Sequence, residues 1–303
     1  MKSDLLDRFC QDCQMRNIKY IDTYRSYVNL FLKLLESRSK DPSTANRDDL
    51  KNYLSVLRER GLKQASIEKA FTSLSTFYTY LVDEELMSVN PIIPFKRRYL
   101  RKYKDDNGSE ARQIITVDQA SLLINSTLNS RDRAILVILF KTGIRRGELC
   151  QLDVGDLDYE NMSINLKLTA KRSNRLLYFD NETEEALQAW LRIRKEKHSY
   201  NIDALFISSQ GLRISPEEVD YIVKKHATRA GLHKPGSKRL EDRFTPHCCR
   251  HWFTTHLIRA GMPRDFVKEL RGDVRHEAID IYNHIDKKEL RESYLAHIPQ
   301  LGI

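Results

Sequence analysis

A chain of 303 residues with 51 lysines and arginines against 42 acidic side chains carries a formal charge of +9, and that length can bury cores in roughly two domains. The basic excess favours a polyanionic partner over a small acidic molecule, and five cysteines in so charged a chain do not make a disulfide framework. No apolar run reaches the roughly 20 residues of a membrane span and no signal-peptide core stands at the start, so the expectation is a soluble, cytoplasmic protein with no membrane partner.

A short helix is expected near Leu5–Phe9, with Cys10-Gln11-Asp12-Cys13 just beyond it. A structural zinc site wants four ligands and no second CxxC answers this one, so two cysteines on a helix is the reading. Helical spacing follows in Tyr24, Tyr27, Val28, Phe31, Leu32 and Leu35. It returns in Leu50, Tyr53, Leu54 and Leu57, which stop at Gly61, and in Ile67, Phe71, Leu74, Phe77, Tyr78 and Leu81, which end before Asn90-Pro91. Residues 1–95 therefore read as an all-helical bundle whose tyrosines pack rather than stack on bases. Residues 96–113 read as a basic interdomain linker; Arg97, Arg98, Arg101 and Lys102 would lie on a DNA backbone if two domains clamp a duplex, or otherwise be a solvated tether.

A second domain, 114–303, opens with the capping pattern Thr116-Val117-Asp118-Gln119, and Ala134 to Phe140 is apolar enough for a buried helix. The period then changes: Ile164, Leu166 and Leu168 alternate, a polar turn covers 170–174, and Arg175 to Phe179 follows, a β-hairpin with Lys171 in or beside its turn. Helices are expected at Thr183–Arg194, from Ser215-Pro216-Glu217-Glu218 to Gly231, and after Thr245-Pro246. A last one runs through Leu290, Tyr294 and Leu295. Its natural place is on a neighbouring subunit, the alternative being its own core. The fold class is mainly α: a helical bundle followed by a mostly helical domain with a small antiparallel sheet.

The chemistry concentrates in Arg145, Lys171, His247, Arg250 and Tyr282. His247 and Arg250 sit three apart in a first helical turn and face one way, where free N–H groups favour an anion. Two guanidiniums can hold the non-bridging oxygens of a phosphodiester. A phenol with a free pKa of ~10 needs a base such as histidine to act as nucleophile, and a lysine can protonate the leaving oxygen. None of this requires a metal or another cofactor. His247 and His251 with Cys248 and Cys249 between them lack the Glu that follows the first His in zinc proteases, and His251 and His256 read as packing or surface histidines. Arg146, Arg172 and Arg175 read as phosphate-backbone contacts or solvated charge.

This set resembles the tyrosine recombinase (phage integrase, Xer-type) family over nearly the whole chain. Thr142-Gly143-Ile144-Arg145-Arg146-Gly147-Glu148-Leu149 is similar to the family's first arginine box, with Glu148 as the supporting carboxylate of Arg145. Lys171 matches the hairpin lysine, His247-x-x-Arg250 the second box and Tyr282 the nucleophile. The resemblance implies a SAM-like core-binding domain in the first 95 residues and a site-specific recombinase that cuts double-stranded DNA through a 3′-phosphotyrosyl link, without metal or ATP. It further implies a homotetramer on two sites, monomeric or dimeric off DNA, with an accessory recombinase as an open question. One position departs: nine residues before the nucleophile, where the family carries His or Trp, stands Asp273. An ionised carboxylate can only accept and repels phosphate. Asp273 orienting Arg145 or Arg250, His276 supplying the donor instead, and a weakened or inactive site remain open. A DNA-binding protein with a dead site and a type IB topoisomerase are the alternatives.

Overall fold

The computed structural model describes residues 2–100, 113–167, 175–197, 202–237, 239–272 and 285–303. The chain divides into two compact units, Met1–Asn107 and Gly108–Ile303. In the first, α1 (Lys2–Met15), α2 (Ile21–Glu36), α3 (Arg47–Glu59), α4 (Gln64–Asp83) and α5 (Ile92–Tyr99) enclose an aromatic core. Phe9, Phe31, Tyr53, Phe71, Phe77 and Tyr78 are all fully buried. The tyrosine hydroxyls cannot stay unpaired there: Tyr53 donates to the Tyr27 carbonyl at 3.0 Å and Tyr78 to the Pro42 carbonyl at 2.9 Å. These tyrosines are core, as their spacing implied. Cys10 and Cys13 both face that core from α1, and burial foremost pushes the Cys13 thiol up to about 11. Asn46 caps α3 by accepting from the Asp48 and Asp49 N–H groups, and Asp49 accepts the Asn46 N–H in return.

The expected linker starts too early. Its first residues complete α5, where Phe95 stacks on Phe71 at 5.2 Å and Leu100 is buried. Two apolar anchors outweigh a basic local composition. Arg97 and Arg98 are exposed on that helix, the Arg98 guanidinium 5.6 Å from the Tyr99 ring centre. Arg101 and Lys102 lie outside the described residues.

The second unit is organised on α7 (Ser130–Thr142), whose stretch Ala134–Phe140 is wholly buried and therefore needs neighbours all round. Those are α6 (Val117–Asn125), capped by the reciprocal Thr116–Gln119 pair, α9 (Asn181–Lys197), α10 (Pro216–Arg229) and α11 (Pro246–Arg259). Trp252 of α11 meets Phe140 edge-on at 5.1 Å. Between α7 and α9 come the short α8 (Arg146–Cys150) and an antiparallel sheet in the order β1 (Leu157–Asp158), β2 (Ser163–Leu166), β3 (Arg175–Tyr178). β2 and β3 are the expected hairpin, with Ile164 opposite Leu177; β1 is too short to announce itself by alternation. Then α12 (Arg264–Arg271) and α13 (Lys287–His297) follow. Among the described residues no helix is long and apolar enough to cross a membrane.

The tail lies on its own unit, the alternative its pattern allowed. Tyr294 of α13 is fully buried and donates to the Lys141 carbonyl at 3.0 Å. The Lys141 ammonium, itself wholly buried, bonds Asp180 at 2.5 Å, Glu182, and the Pro299 carbonyl at 2.8 Å. Glu182 in turn accepts the Leu301, Gly302 and Ile303 N–H groups. A buried cation must be surrounded, and this one uses the last residues of the chain to achieve it.

A second buried charge ties α7 to α10. Asp132 is 2 % exposed and accepts from His226 at 2.9 Å, Arg131 at 3.1 Å and Lys225 at 3.3 Å. Burial raises its pKa, but the three partners outweigh burial and hold it at about 2. A folded-state pKa below the unfolded one gives stability that is present above about pH 4 and lost as pH falls towards 2. Asp132→Asn should therefore cost about 1 kcal/mol less at pH 3 than at pH 7, a difference readable from urea unfolding at the two pH values.

Candidate active site

Helix α7 ends at Gly143, which takes φ 59°. A Cβ there would lie 2.4 Å from Cδ1 of Phe253, so only glycine fits both the left-handed turn and the packing. That turn exposes the Gly143 carbonyl and delivers Arg145 to the start of α8. Glu148 accepts the Arg145 backbone N–H at 3.0 Å and its Nη1 at 3.3 Å, which fixes both ends of the residue. Arg250, in the first turn of α11, is 5 % exposed; its Nη1 donates to the Gly143 carbonyl at 2.6 Å. Its Nη2 donates to the Arg271 carbonyl at 2.7 Å, and Arg145 Nη1 reaches the same carbonyl at 3.0 Å. The two guanidiniums are thus brought together on one oxygen at the C-terminal end of α12, where the helix dipole is negative.

Beside them opens a cleft of about 430 Å³ lined by Arg145, Arg146, Arg243, His247 and Arg250, with Asp220 across from Arg146 at 3.8 Å. Thr245 is extended and Pro246 begins α11, as expected, so the cleft also faces a helix N-terminus. Thr245 N–H meets Cys248 Sγ at 3.4 Å. His247 is exposed, and its Nε2 lies 3.1 Å from Nε2 of His251, ring edge to ring face. A hydrogen bond between two imidazole nitrogens needs one donor and one acceptor, so at least one of these rings is neutral while it lasts. Four cationic side chains around a dipole's positive end can bind a phosphate-sized anion, hold two of its oxygens and place an imidazole beside it.

The structure brings Arg145, Glu148, His247 and Arg250 to one place and sets Arg146, 44 % exposed at its side chain, on the rim. Lys171, Arg172, Asp273, His276 and Tyr282 lie outside the described residues. Arg175 is a correction. Expected on the DNA backbone or in solvent, its side chain is 7 % exposed and bonds Glu148 through both terminal nitrogens, at 3.0 and 2.7 Å. Its partner is a carboxylate of its own unit. His251, read as a packing or surface histidine, does pack, on His247 one helical turn away. Sequence reasoning missed Arg243, whose place depends on the loop before α11, and the Arg271 carbonyl, which no side chain advertises.

Residues 107–289 match the model of the phage integrase family, and residues 5–88 match that of the phage integrase N-terminal SAM-like domain. The chain is 30% identical over 272 residues to tyrosine recombinase XerC of Pelotomaculum thermopropionicum, covering 86% of this chain and 83% of that one. It is 28% identical to XerC of Thermodesulfovibrio yellowstonii, covering 90% and 88%. The fold is similar to that of XerH bound to palindromic difH substrate in a post-cleavage complex, with a TM-score of 0.70 at 20% identity over 95% of this chain and 82% of that one. It is also similar to the Tn1549 transposon integrase in complex with transposon right end DNA, with a TM-score of 0.69 at 19% identity over 95% and 97%.

Arg250→Lys keeps the charge but has a single nitrogen where the Gly143 and Arg271 carbonyls are met by separate arms of a guanidinium. Leaving the Gly143 carbonyl without its Arg250 donor should cost about 1–3 kcal/mol in folding stability, measured by chemical denaturation against Arg146→Lys, for which a change within about 0.5 kcal/mol is expected.

Proposed function

The chain belongs to the phage integrase family and is a tyrosine recombinase, and from that premise we propose that it cuts and rejoins double-stranded DNA through a covalent 3′-phosphotyrosyl intermediate. The single observation that carries the reading is the convergence of Arg145 and Arg250 on the Arg271 carbonyl at the edge of the His247 cleft. A scissile phosphate held there has its non-bridging oxygens against two guanidiniums, which neutralise charge as phosphorus becomes five-coordinate. Tyr282 Oη attacks phosphorus as His247 takes the phenolic proton. The P–O5′ bond breaks, and Lys171 supplies the proton that leaves with the 5′-hydroxyl. A partner strand's 5′-hydroxyl reverses the step. The bond energy is kept in the protein–DNA link, so the cycle consumes neither ATP nor a metal. Asp273 in the family's His or Trp position removes a donor; it orients Arg145 or Arg250 instead, while His276 three residues on supplies the hydrogen bond.

The first unit acts as a core-binding domain on the duplex, and the basic connector beyond Leu100, with Arg101, Lys102 and Arg112, follows its backbone. Arg97, Arg98, Arg146 and Arg172 add phosphate contacts. The working form is a homotetramer on two DNA sites, acting in the cytoplasm, with or without a second recombinase as accessory.

A duplex nicked beside the scissile phosphate tests this, because the short 5′ fragment diffuses away and the link accumulates. Wild type should give a covalent adduct, Tyr282→Phe none, and Arg145→Ala about 10²–10³-fold less. Tight binding with no adduct in wild type would mean a DNA-binding protein with a dead site. Relaxation of supercoils without recombinant product would mean a topoisomerase.

A further inference from the structure

Arg175 is unusual among the arginines of this chain in being turned inward from a sheet edge. It is the first residue of β3, four positions after Lys171. Its fork closes on both oxygens of Glu148, while its own Nε–H is buried without a partner among the described residues. An orphaned N–H in that place costs free energy, so the clasp on Glu148 is what holds the side chain there. The same carboxylate accepts the Arg145 backbone N–H and Nη1. Four donors thus share two oxygens, and the direction of the Arg145 guanidinium is set by a carboxylate that Arg175 holds from the other side.

Arg175 also touches the third element of the cluster. A Cβ on Gly272 would lie 2.5 Å from its Nη1, 2.8 Å from Cδ and 3.0 Å from Cζ. The guanidinium therefore lies directly against the backbone of residue 272, one peptide beyond the carbonyl shared by Arg145 and Arg250. Only a residue without a side chain lets it in. Gly272 has φ 60°, where asparagine is also tolerated, so clash and backbone strain can be separated by experiment.

We propose that Arg175 is a positioning residue of this active site: through Glu148 and against Gly272 it fixes the Arg145 guanidinium, and it locks the strand following Lys171 onto the arginine cluster. This rests on the reading of the cleft as the scissile-phosphate site. It makes Arg175 a determinant of cleavage rate and not of DNA affinity.

The test uses the full chain and the nicked duplex at saturating protein, comparing wild type, Arg175→Met, Arg175→Lys, Glu148→Gln and the Arg175→Met/Glu148→Gln pair. Arg175→Met should slow adduct formation about 10–100-fold, the scale of a misplaced catalytic group, with DNA affinity and its salt dependence unchanged. Arg175→Lys should restore little, since an ammonium cannot fork. In the Glu148→Gln background Arg175→Met should cost almost nothing more, because the two act as one unit. A weakened affinity with the salt slope reduced by about one and an unchanged rate would make Arg175 a backbone contact, and rate losses that multiply would make it independent of Glu148; either result overturns the proposal. Should Arg175→Met prove poorly folded, Gly272→Asn keeps Arg175 and displaces its guanidinium, and the same rate loss is expected. A wild type that forms no adduct sinks the recombinase reading but leaves this one testable. The guanidinium N–H signals of Arg145 in ¹⁵N-labelled protein should sharpen into slow rotation in wild type and average in Arg175→Met; identical signals in both would refute it.

Discussion

A single carbonyl oxygen, that of Arg271, carries the arrangement of the site. Arg145 and Arg250 come from different helices and repel one another, yet both donate to that oxygen. What makes the meeting tolerable is the position of the oxygen at the last turn of α12, where unpaired carbonyls and the helix dipole together supply partial negative charge. The Gly143 carbonyl does the same for the other arm of Arg250 at the end of α7. Two helix ends thus serve as neutral counter-ligands: they orient the guanidiniums without neutralising them. The two carbonyls themselves cancel none of the guanidinium charge, and the one carboxylate bonded to Arg145, Glu148, shares its charge with Arg175.

Much of this was legible beforehand. The apolar spacing of the first hundred residues gave the bundle, and Ala134–Phe140 gave the buried centre of the second unit. Arg145, His247 and Arg250 could be assigned to one place because guanidinium and imidazole have recognisable chemistry towards phosphate, and Glu148 because the stretch 142–149 resembles the family's first arginine box. The Arg271 and Gly143 carbonyls could not, since every residue has one and only the fold decides which point inward. Arg175 was misplaced for a related reason. An arginine beside a hairpin turn is solvated by default, and the partner that overrides the default, Glu148, sits 27 residues earlier in the chain.

The linker boundary and the seat of the tail depend on the same kind of group. Composition marked Lys96 onward as a tether, but Phe95 and Leu100 had already committed the segment to the first core. The tail's amphipathic pattern was plain, whereas its destination depended on a lysine, Lys141, next to the apolar stretch of a buried helix. Local signals fix what an element is; where it docks is decided by isolated groups that must find a partner.

Lys141 and Gly143 are two residues apart at one end of α7. The first is satisfied by Asp180, Glu182 and the Pro299 carbonyl, and the second offers its oxygen to Arg250. Pulling the chain's last residues away would remove one of three ligands from a fully enclosed ammonium and free the oxygens of Glu182 that Leu301 to Ile303 occupy. Such a cation does not stay dehydrated with a depleted shell. The strap at the terminus and the helix end that supports Arg250 therefore form one mechanical joint, and neither can be opened without loading the other.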